Sequence, residues 1–310
     1  MSRIHEALKK AEQERSGIAR PADESLAPVE FSEAGPLHRP VETHAIATAP
    51  QVSSNGLTFD MIRENTKSSA WNFDPRKVLF GTPRPGDQKA RLGTEEFRTL
   101  RSRLYQIREK QPLKTLLVTS ALPAEGKTFV AGNLAQVIVR QHERRALLID
   151  ADLRWSRLHL SFGTTMKPGL TDYLAGNADE LSIIQRGAYD NLFFVPGGSP
   201  CSNPAELIAG GKLEAFLHRM APLFDWVILD SPPAVPVSDS SLLADMCDGV
   251  LMIVRSAVTP YDMAQRAVQE FREKHLVGVV LNDVEPGSGY SSYYYHYYHG
   301  RSGVNGKGKG

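Results

Sequence analysis

The sequence is poor in cysteine, in long apolar runs and in net charge. Its two cysteines among 310 residues, Cys201 and Cys247, lie far apart, which excludes a cysteine-rich zinc site and a disulfide scaffold and fits a reducing compartment. No apolar run approaches the ~20 residues that span a bilayer, and the N-terminus lacks the apolar segment of a signal peptide, so we expect a cytoplasmic protein. The net charge of +1 gives no general case for nucleic-acid binding.

Charge and composition are unevenly distributed along the chain. Residues 286–310 contain three basic residues, no acidic residue and six of the ten tyrosines. We therefore predict an amphipathic helix over 1–15, a mostly disordered linker over 16–89, a folded domain over 90–285 and a flexible tyrosine-rich tail over 286–310. Within the linker, we expect the aromatic residues of 71–80 to dock onto the domain that follows.

The folded region alternates apolar strands with helical segments. Most of the strands are continuous apolar runs, which indicates that both of their faces are buried, as in a parallel sheet flanked by helices. The predicted fold class is therefore α/β. The predicted strands are 115–120, 145–150, 192–196, 226–230, 249–255 and 277–282. The predicted helices are 94–109, 127–141, 204–220, 239–246 and 260–274.

A phosphate-binding loop is predicted where the first of these strands meets a helix. The run Ala-Leu-Pro-Ala-Glu-Gly-Lys-Thr over 121–128 has the spacing of a P-loop, with alanine at the usual first glycine. Backbone N–H groups in such a loop hold phosphates, the lysine reaches the β- and γ-phosphates, and the threonine hydroxyl reaches Mg²⁺. The predicted nucleotide-binding residues are Ala124, Glu125, Gly126, Lys127, Thr128 and Phe129.

Three aspartates end two other predicted strands. Asp150 and Asp152 share one face because strand side chains alternate, and Asp230 ends a third apolar strand. The carboxyl ends of parallel strands are where doubly wound sheets bind ligands. One carboxylate can serve a metal shell while another accepts the proton of an attacking hydroxyl, so the division of roles between Asp150 and Asp152 stays open.

Together these motifs resemble those of the bacterial tyrosine kinases of polysaccharide synthesis, over about residues 90–298. The carrying motifs are Ala-x4-Gly-Lys-Thr, Leu-Leu-Ile-Asp-x-Asp-x-Arg, Val-Ile-Leu-Asp-Ser-Pro-Pro and the tyrosine cluster. The opening Ser-Arg-Ile-His-Glu-Ala-Leu-Lys-Lys-Ala is similar to the stand-alone cytoplasmic form found with exosortase systems. The resemblance implies a P-loop kinase domain over 90–285, related to the MinD and ParA ATPases, that uses ATP and Mg²⁺.

The resemblance also assigns roles to individual residues. It implies catalytic roles for Lys127, Asp150, Asp152 and Arg154, and a metal site at Thr128, Asp150 and Asp230. Asn282, at the end of the last strand, is expected to hydrogen-bond the adenine edge. The segment Glu-Glu-Phe-Arg-Thr-Leu-Arg matches a motif that packs subunits into a ring, here at Glu95, Arg98 and Arg101.

The tyrosine-rich tail is the predicted phosphoacceptor. Its candidate sites are Tyr290, Tyr293, Tyr294, Tyr295, Tyr297 and Tyr298. The resemblance implies self-association, a membrane-bound activator of the chain-length-determinant type, a phosphotyrosine phosphatase, and a cytoplasmic location peripheral to the inner membrane through that activator. It further implies control of exopolysaccharide polymerisation or export.

The alternative is a nucleotide-dependent assembly switch, of the MinD or ParA kind, whose tyrosine tail is only a binding surface. Those ATPases carry a signature lysine at the second loop position, where this sequence has Leu122. A dimer that completes its site with that lysine is therefore not expected.

Overall fold

The computed structural model describes residues 56–284, except 67, 81–87, 142 and 188. The predicted helix over 1–15, residues 16–55 of the predicted linker, and the tail over 286–310 lie outside the described residues. The helices are α1 (Phe59–Asn65), α2 (Gln88–Arg108), α3 (Lys127–Val139), α4 (Leu158–Phe162), α5 (Leu170–Leu174), α6 (Pro204–Ala209), α7 (Lys212–Met220), α8 (Asp239–Asp245) and α9 (Tyr261–Glu270). The strands are β1 (Thr115–Ser120), β2 (Ala146–Asp150), β3 (Gln185–Arg186), β4 (Leu192–Val195), β5 (Trp226–Asp230), β6 (Gly249–Arg255) and β7 (Leu276–Asn282).

The seven strands form one sheet in the order β3-β4-β2-β5-β1-β6-β7. Every pairing is parallel except that of the two-residue edge strand β3 with β4. Every residue of β1, β2 and β5 is buried, and alternate residues of these strands enter the two apolar clusters on opposite sheet faces. The predicted α/β class with a mostly parallel sheet is confirmed.

The predicted elements differ from the observed ones in a few places. The antiparallel β3 was not expected, nor were the short helices α4 and α5. The helix predicted over 204–220 is two helices, because Gly210 and Gly211 interrupt it and Gly211 adopts a left-handed φ of +77°. Helix α2 begins six residues before the predicted start at 94, at Gln88.

The segment over 57–80 packs against the domain, which differs from the linker expected over 16–89. Ile62 in α1 is fully buried, and Trp71 contacts Phe162 with ring centres 5.1 Å apart. The Leu79 N–H donates to the Asn133 side chain at 2.8 Å. These apolar residues show no helical or strand period because the domain surface, rather than local periodicity, buries them. Docking of residues 71–80 was expected, but the packed region already begins near residue 57.

Sheet order places the functional motifs side by side. Strand β5 lies between β1 and β2, and Asp150 of β2 is in register with Asp230 of β5. The P-loop follows β1 and leads directly into α3, ten consecutive residues of which are buried. The carboxyl ends of three adjacent strands therefore meet at the start of α3. Among the described residues, none of the helices combines the length and the apolar character of a membrane span.

Candidate functional site

The P-loop takes a backbone shape that only a glycine fits at position 126. Gly126 has a φ of +98°, and a methyl group on it would lie 2.1 Å from Nδ2 of Asn282. Gly126 precedes Lys127, the first residue of α3, and has no side chain to cap the helix. The first N–H groups of α3 are therefore available to an anion. Ala124 also has a left-handed φ, of +64°.

The Glu125 side chain holds the P-loop in place through hydrogen bonds to the protein itself. Its side chain is buried, and one carboxylate oxygen accepts a hydrogen bond from the Leu122 N–H at 2.6 Å. The other oxygen accepts from the Thr259 hydroxyl, and the Glu125 carbonyl accepts from Asn282 Nδ2 at 2.8 Å. Glu125, which the sequence suggested as a nucleotide-binding residue, therefore offers only its backbone to a nucleotide. Thr259 was not anticipated as a supporting residue.

Phe129 also has a packing contact that the motif did not indicate. Its ring lies 5.8 Å from that of Phe97 in α2, and it packs against the apolar cluster on that side of the sheet. Its side chain thus helps hold α2 against α3, so a contact with the nucleotide would have to come from its backbone.

Lys127 lies among the three predicted carboxylates. Its Nζ donates to Oδ2 of Asp152 at 2.8 Å and lies 3.5 Å from the Thr128 hydroxyl. Burial opposes the charge on Lys127, but the negative charges of Asp230, Asp152 and Asp150 outweigh it and raise the pKa of the lysine. Lys127 therefore carries a full positive charge at the mouth of the P-loop, where a phosphate would arrive.

Asp150 and Asp230 have buried oxygens that lack partners among the described residues. Oδ2 of Asp150 accepts from the Ser156 hydroxyl at 2.7 Å and the Leu158 N–H at 3.1 Å, while its Oδ1 has no partner. Neither carboxylate oxygen of Asp230 has a partner with full hydrogen-bond geometry, although the Thr128 hydroxyl lies near enough to lower the pKa of Asp230. Burial, followed by the charge of Asp230, raises the pKa of Asp150 to about 8. Burial raises that of Asp230 to about 6, against the opposing charge of Lys127.

These orphaned oxygens fit a hydrated Mg²⁺ ion bound with a nucleotide. Buried polar atoms normally have hydrogen-bond partners, so an exception at a predicted site calls for a missing ligand or water. The described residues contain no group of three His, Cys, Asp or Glu side chains that could hold a metal. In a hydrated site, Thr128 and phosphate oxygens would bind the ion directly and the carboxylates would bind its waters.

Arg154 contacts a residue that the sequence did not single out. Its guanidinium forms two hydrogen bonds with Asp239, at 2.7 and 2.9 Å. Asp239 is the first residue of α8 and is completely buried, whereas the Arg154 side chain is 42% exposed. An acidic residue beginning a helix is usually interpreted as favourable to the helix dipole. Here it fixes Arg154, so this arginine is positioned beside the site by α8.

The predicted ring motif lies on α2. Arg98 pairs with Glu95 on the helix surface, and both side chains are more than half exposed. Arg101, in contrast, donates to the Val137 carbonyl of α3 at 2.8 Å. The resemblance placed both arginines in the subunit-packing motif, but the Arg101 guanidinium holds α2 on its own domain. The exposed pair remains available to a neighbouring subunit.

Comparison with known proteins identifies the family. No protein-family model matches the chain. The chain is 30% identical over 207 residues to tyrosine-protein kinase YwqD of Bacillus subtilis, covering 66% of this chain and 86% of that protein. It is 32% identical over 208 residues to tyrosine-protein kinase wzc of Salmonella typhimurium, which covers 66% of this chain but only 29% of wzc.

Similar solved structures are kinase domains as well. The kinase domain of the Escherichia coli tyrosine kinase ETK superposes with a TM-score of 0.59 at 30% identity, covering 62% of this chain and 75% of that chain. The VpsO kinase domain gives the same TM-score at 28% identity, covering 65% and 100%. With its P-loop, adjacent strand-end aspartates and these relatives, the chain belongs to the bacterial tyrosine-protein kinases.

Proposed function

We propose that the chain is an ATP- and Mg²⁺-dependent autokinase that phosphorylates the tyrosines of its own C-terminal cluster. The observation that carries the proposal is the contact of Lys127 with Asp152 beside the orphaned carboxylate oxygens of Asp150 and Asp230. A lysine, a hydroxyl for the metal and several carboxylates at the mouth of a P-loop are what phosphoryl transfer to a hydroxyl requires.

Each group has a distinct task in the proposed reaction. The N–H groups at the start of α3 and Lys127 hold the phosphates, and Thr128 with Asp150 and Asp230 positions the metal. Bound Mg²⁺ would neutralise charge on the phosphates. A tyrosine hydroxyl bonds to the γ-phosphorus while the bond to ADP breaks, and the phenolic proton passes to a carboxylate. Asp152 is the first choice for that proton, and Asp150 is the alternative.

The acceptors in this proposal are Tyr290, Tyr293, Tyr294, Tyr295, Tyr297 and Tyr298. We further propose that Glu95 and Arg98 pair with a second copy in a ring, that a membrane-bound partner activates the kinase and recruits it to the inner membrane from the cytoplasm, and that a phosphatase resets the tail. The regulated process is exopolysaccharide polymerisation or export. One relative is named a putative tyrosine-protein kinase in the cps region of Klebsiella pneumoniae, which supports this setting.

The test is to incubate the purified chain with labelled ATP and Mg²⁺ and to map phosphotyrosine by mass spectrometry. We expect modified tyrosines within 290–298, and none in Lys127→Met. The matched control is Lys212→Met, because Lys212 is an exposed lysine at the start of another helix. If Lys127→Met keeps full tail phosphorylation, the proposal fails. If no tyrosine is modified even with the cytoplasmic segment of the membrane-bound partner present, but nucleotide changes the oligomer, the chain is instead an assembly switch.

A further inference from the structure

A groove lies beside the proposed catalytic carboxylate, and none of the P-loop residues 121–128 lines it. It has a volume of about 400 Å³ and is lined by residues that follow β2, by α4 and by the glycine-rich turn after β4; those used below are Arg154, Trp155, Arg157 and Leu160. A volume of this size lies within the range of pockets that take small ligands, roughly 300–1,000 Å³. The groove is therefore large enough for an aromatic side chain and its neighbours.

The groove is tied to the reaction centre through Trp155. The Trp155 N–H donates to Oδ1 of Asp152 at 3.0 Å, while Oδ2 of the same carboxylate accepts from Lys127. One carboxylate thus holds both the phosphate-binding lysine and the backbone of Trp155. The groove that contains Trp155 therefore begins at the carboxylate proposed to accept the phenolic proton.

The wall of the groove contains two large apolar side chains that are exposed. Trp155 is 65% exposed and Leu160 is 53% exposed. The Arg157 guanidinium lies over the Trp155 ring, 4.8 Å from its centre, and most of the Trp155 side chain is still exposed. Large exposed apolar side chains beside a site mark a surface that binds something. An exposed indole ring favours another aromatic ring.

The chain itself contains a segment of matching chemistry. Residues 286–300 contain six tyrosines and no Asp, Glu, Lys or Arg, so Arg154 and Arg157 do not repel them. Tyr290 lies six residues beyond Val284 and Tyr298 fourteen, which allows at most ~22 Å and ~50 Å of extended chain. Strand β7, from which the tail leaves, is four strand spacings from β2, or about 19 Å. The tail is therefore long enough to reach such a groove.

We infer that the groove formed by Trp155, Arg157 and Leu160 docks the tyrosine-bearing segment 290–298, with one ring stacked on Trp155 while a neighbouring hydroxyl lies at Asp152. This inference rests on the proposed autokinase function and adds the residues that select the acceptor. Trp155 acts as a docking residue and takes no part in transferring the proton or the phosphoryl group.

The test measures phosphoryl transfer between two full-length chains. The enzyme has its six tail tyrosines changed to serine, so its own tail cannot compete for the groove, and the acceptor is the Lys127→Met chain. Trp155→Ala and Leu160→Ala are introduced into the enzyme only. We expect Trp155→Ala to raise the KM for the acceptor about tenfold, since a stacked aromatic pair and its buried area are lost. The kcat, the KM for ATP and the ATP hydrolysis without acceptor should change less than twofold.

Two controls separate docking from structural damage. Trp155→Phe keeps an aromatic face and is expected to restore most of the acceptor affinity. Met61→Ala removes an exposed aliphatic side chain of α1 and is the match for Leu160→Ala, which should raise the acceptor KM by a few fold.

Two results would overturn the inference. One is an acceptor KM that Trp155→Ala leaves unchanged. The other is a rise in KM that occurs only with an unrelated acidic tyrosine copolymer, which would mean that the groove serves another protein substrate. A different failure, in which the enzyme with unaltered Trp155 transfers nothing to the acceptor tyrosines, would instead refute the proposed autokinase function.

Discussion

Asn282, the last residue of β7, donates a hydrogen bond from Nδ2 to the Glu125 carbonyl at 2.8 Å. The two residues are 157 positions apart, so this contact joins the edge of the sheet to the middle of the P-loop. Asn282 was expected to read the adenine edge. With Nδ2 engaged by the loop, Oδ1 is the atom left to accept a hydrogen bond from a base.

Asn282→Ala should therefore have two separable effects. Loss of the bond to the loop should lower the free energy of unfolding by about 1 kcal/mol, or Tm by roughly 2–4 °C. Loss of Oδ1 should weaken ATP binding more than GTP binding, because the 6-amino group of adenine donates a hydrogen bond whereas guanine has a carbonyl acceptor at that position. Thermal unfolding and binding of fluorescent ATP and GTP analogues measure the two effects. Equal losses for both nucleotides would leave Asn282 with the loop role alone.

Ala124 is held in a backbone conformation that suits glycine. Its φ of +64° costs an alanine about 1–2 kcal/mol, and the extra freedom of glycine in the unfolded chain offsets roughly 0.5–1 kcal/mol of that. We expect Ala124→Gly to stabilise the protein by up to about 1 kcal/mol. The control is Ala131→Gly in the interior of α3, which should destabilise by about 1 kcal/mol. Chemical denaturation measures both, and a loss of stability in Ala124→Gly would contradict the strain argument.

Much of the site could be predicted because its residues follow buried strands. The strand predicted over 226–230 and that over 145–150 agree with the observed β5 and β2 to within one residue, since parallel strands buried on both faces are unbroken apolar runs. Because the carboxyl ends of parallel strands lie at one edge of the sheet, Asp150 and Asp230 were predicted to lie together. The register of β2 with β5, in which the two residues are paired, confirms this.

The contacts that hold the loops could not be predicted. Thr259 meets Glu125 across 134 residues, and Asp239 meets Arg154 across 85. No local period links such pairs, because only the folded sheet brings the connecting loops together. Docking of the aromatic residues of 71–80 was predicted, but the partners of Trp71 were not, since its ring is buried by Phe162 and Phe194 rather than by its own segment. The break at Gly210 and Gly211, in contrast, had a signal in two adjacent glycines.

Buried Asp230 should make the ligand-free protein less stable as pH rises. The pKa of Asp230 is raised from an ordinary 3.8 to about 6 by burial, so the folded state holds a proton that the unfolded state has released. Its stabilising contribution is fully present below about pH 4. It is lost as pH rises to about 6 and does not change further above that.

Asp230→Asn removes the contribution of Asp230 to this dependence, while that of Asp150, whose pKa burial also raises, remains. At pH 8 the ligand-free variant is expected to be more stable than the unsubstituted chain by a few kcal/mol, on the order of 3, and inactive as a kinase. Thermal unfolding from pH 4 to 8 measures it. Asp262→Asn, at an exposed position in α9, is the control and should leave the pH profile unchanged. A parallel profile in Asp230→Asn would show that Asp230 is not the titrating group.

The pair formed by Arg154 and Asp239 should be coupled in both stability and activity. Arg154→Ala leaves the buried Asp239 carboxylate without its two hydrogen bonds, which should destabilise the fold by roughly 1–3 kcal/mol. Adding Asp239→Ala should recover part of this loss, because no unpaired charge then remains. A double-mutant cycle by chemical denaturation, with kcat for tail phosphorylation as the second readout, measures the coupling. Purely additive losses would mean that the two residues act independently.

Substitutions on helix α2 should distinguish residues that assemble subunits from residues that stabilise the fold. Glu95 and Arg98 form an exposed pair, which should contribute at most about 1 kcal/mol to folding, whereas Arg101 holds the Val137 carbonyl at 2.8 Å. If the motif packs subunits, Glu95→Ala with Arg98→Ala should reduce the oligomer to smaller species in light scattering while Tm stays nearly constant. Arg101→Ala should lower Tm as well. The control is Arg103→Ala, at an exposed position on the same helix, which should change neither the oligomer nor Tm. An unaltered oligomer in the double variant would show that Glu95 and Arg98 do not lie in the subunit interface.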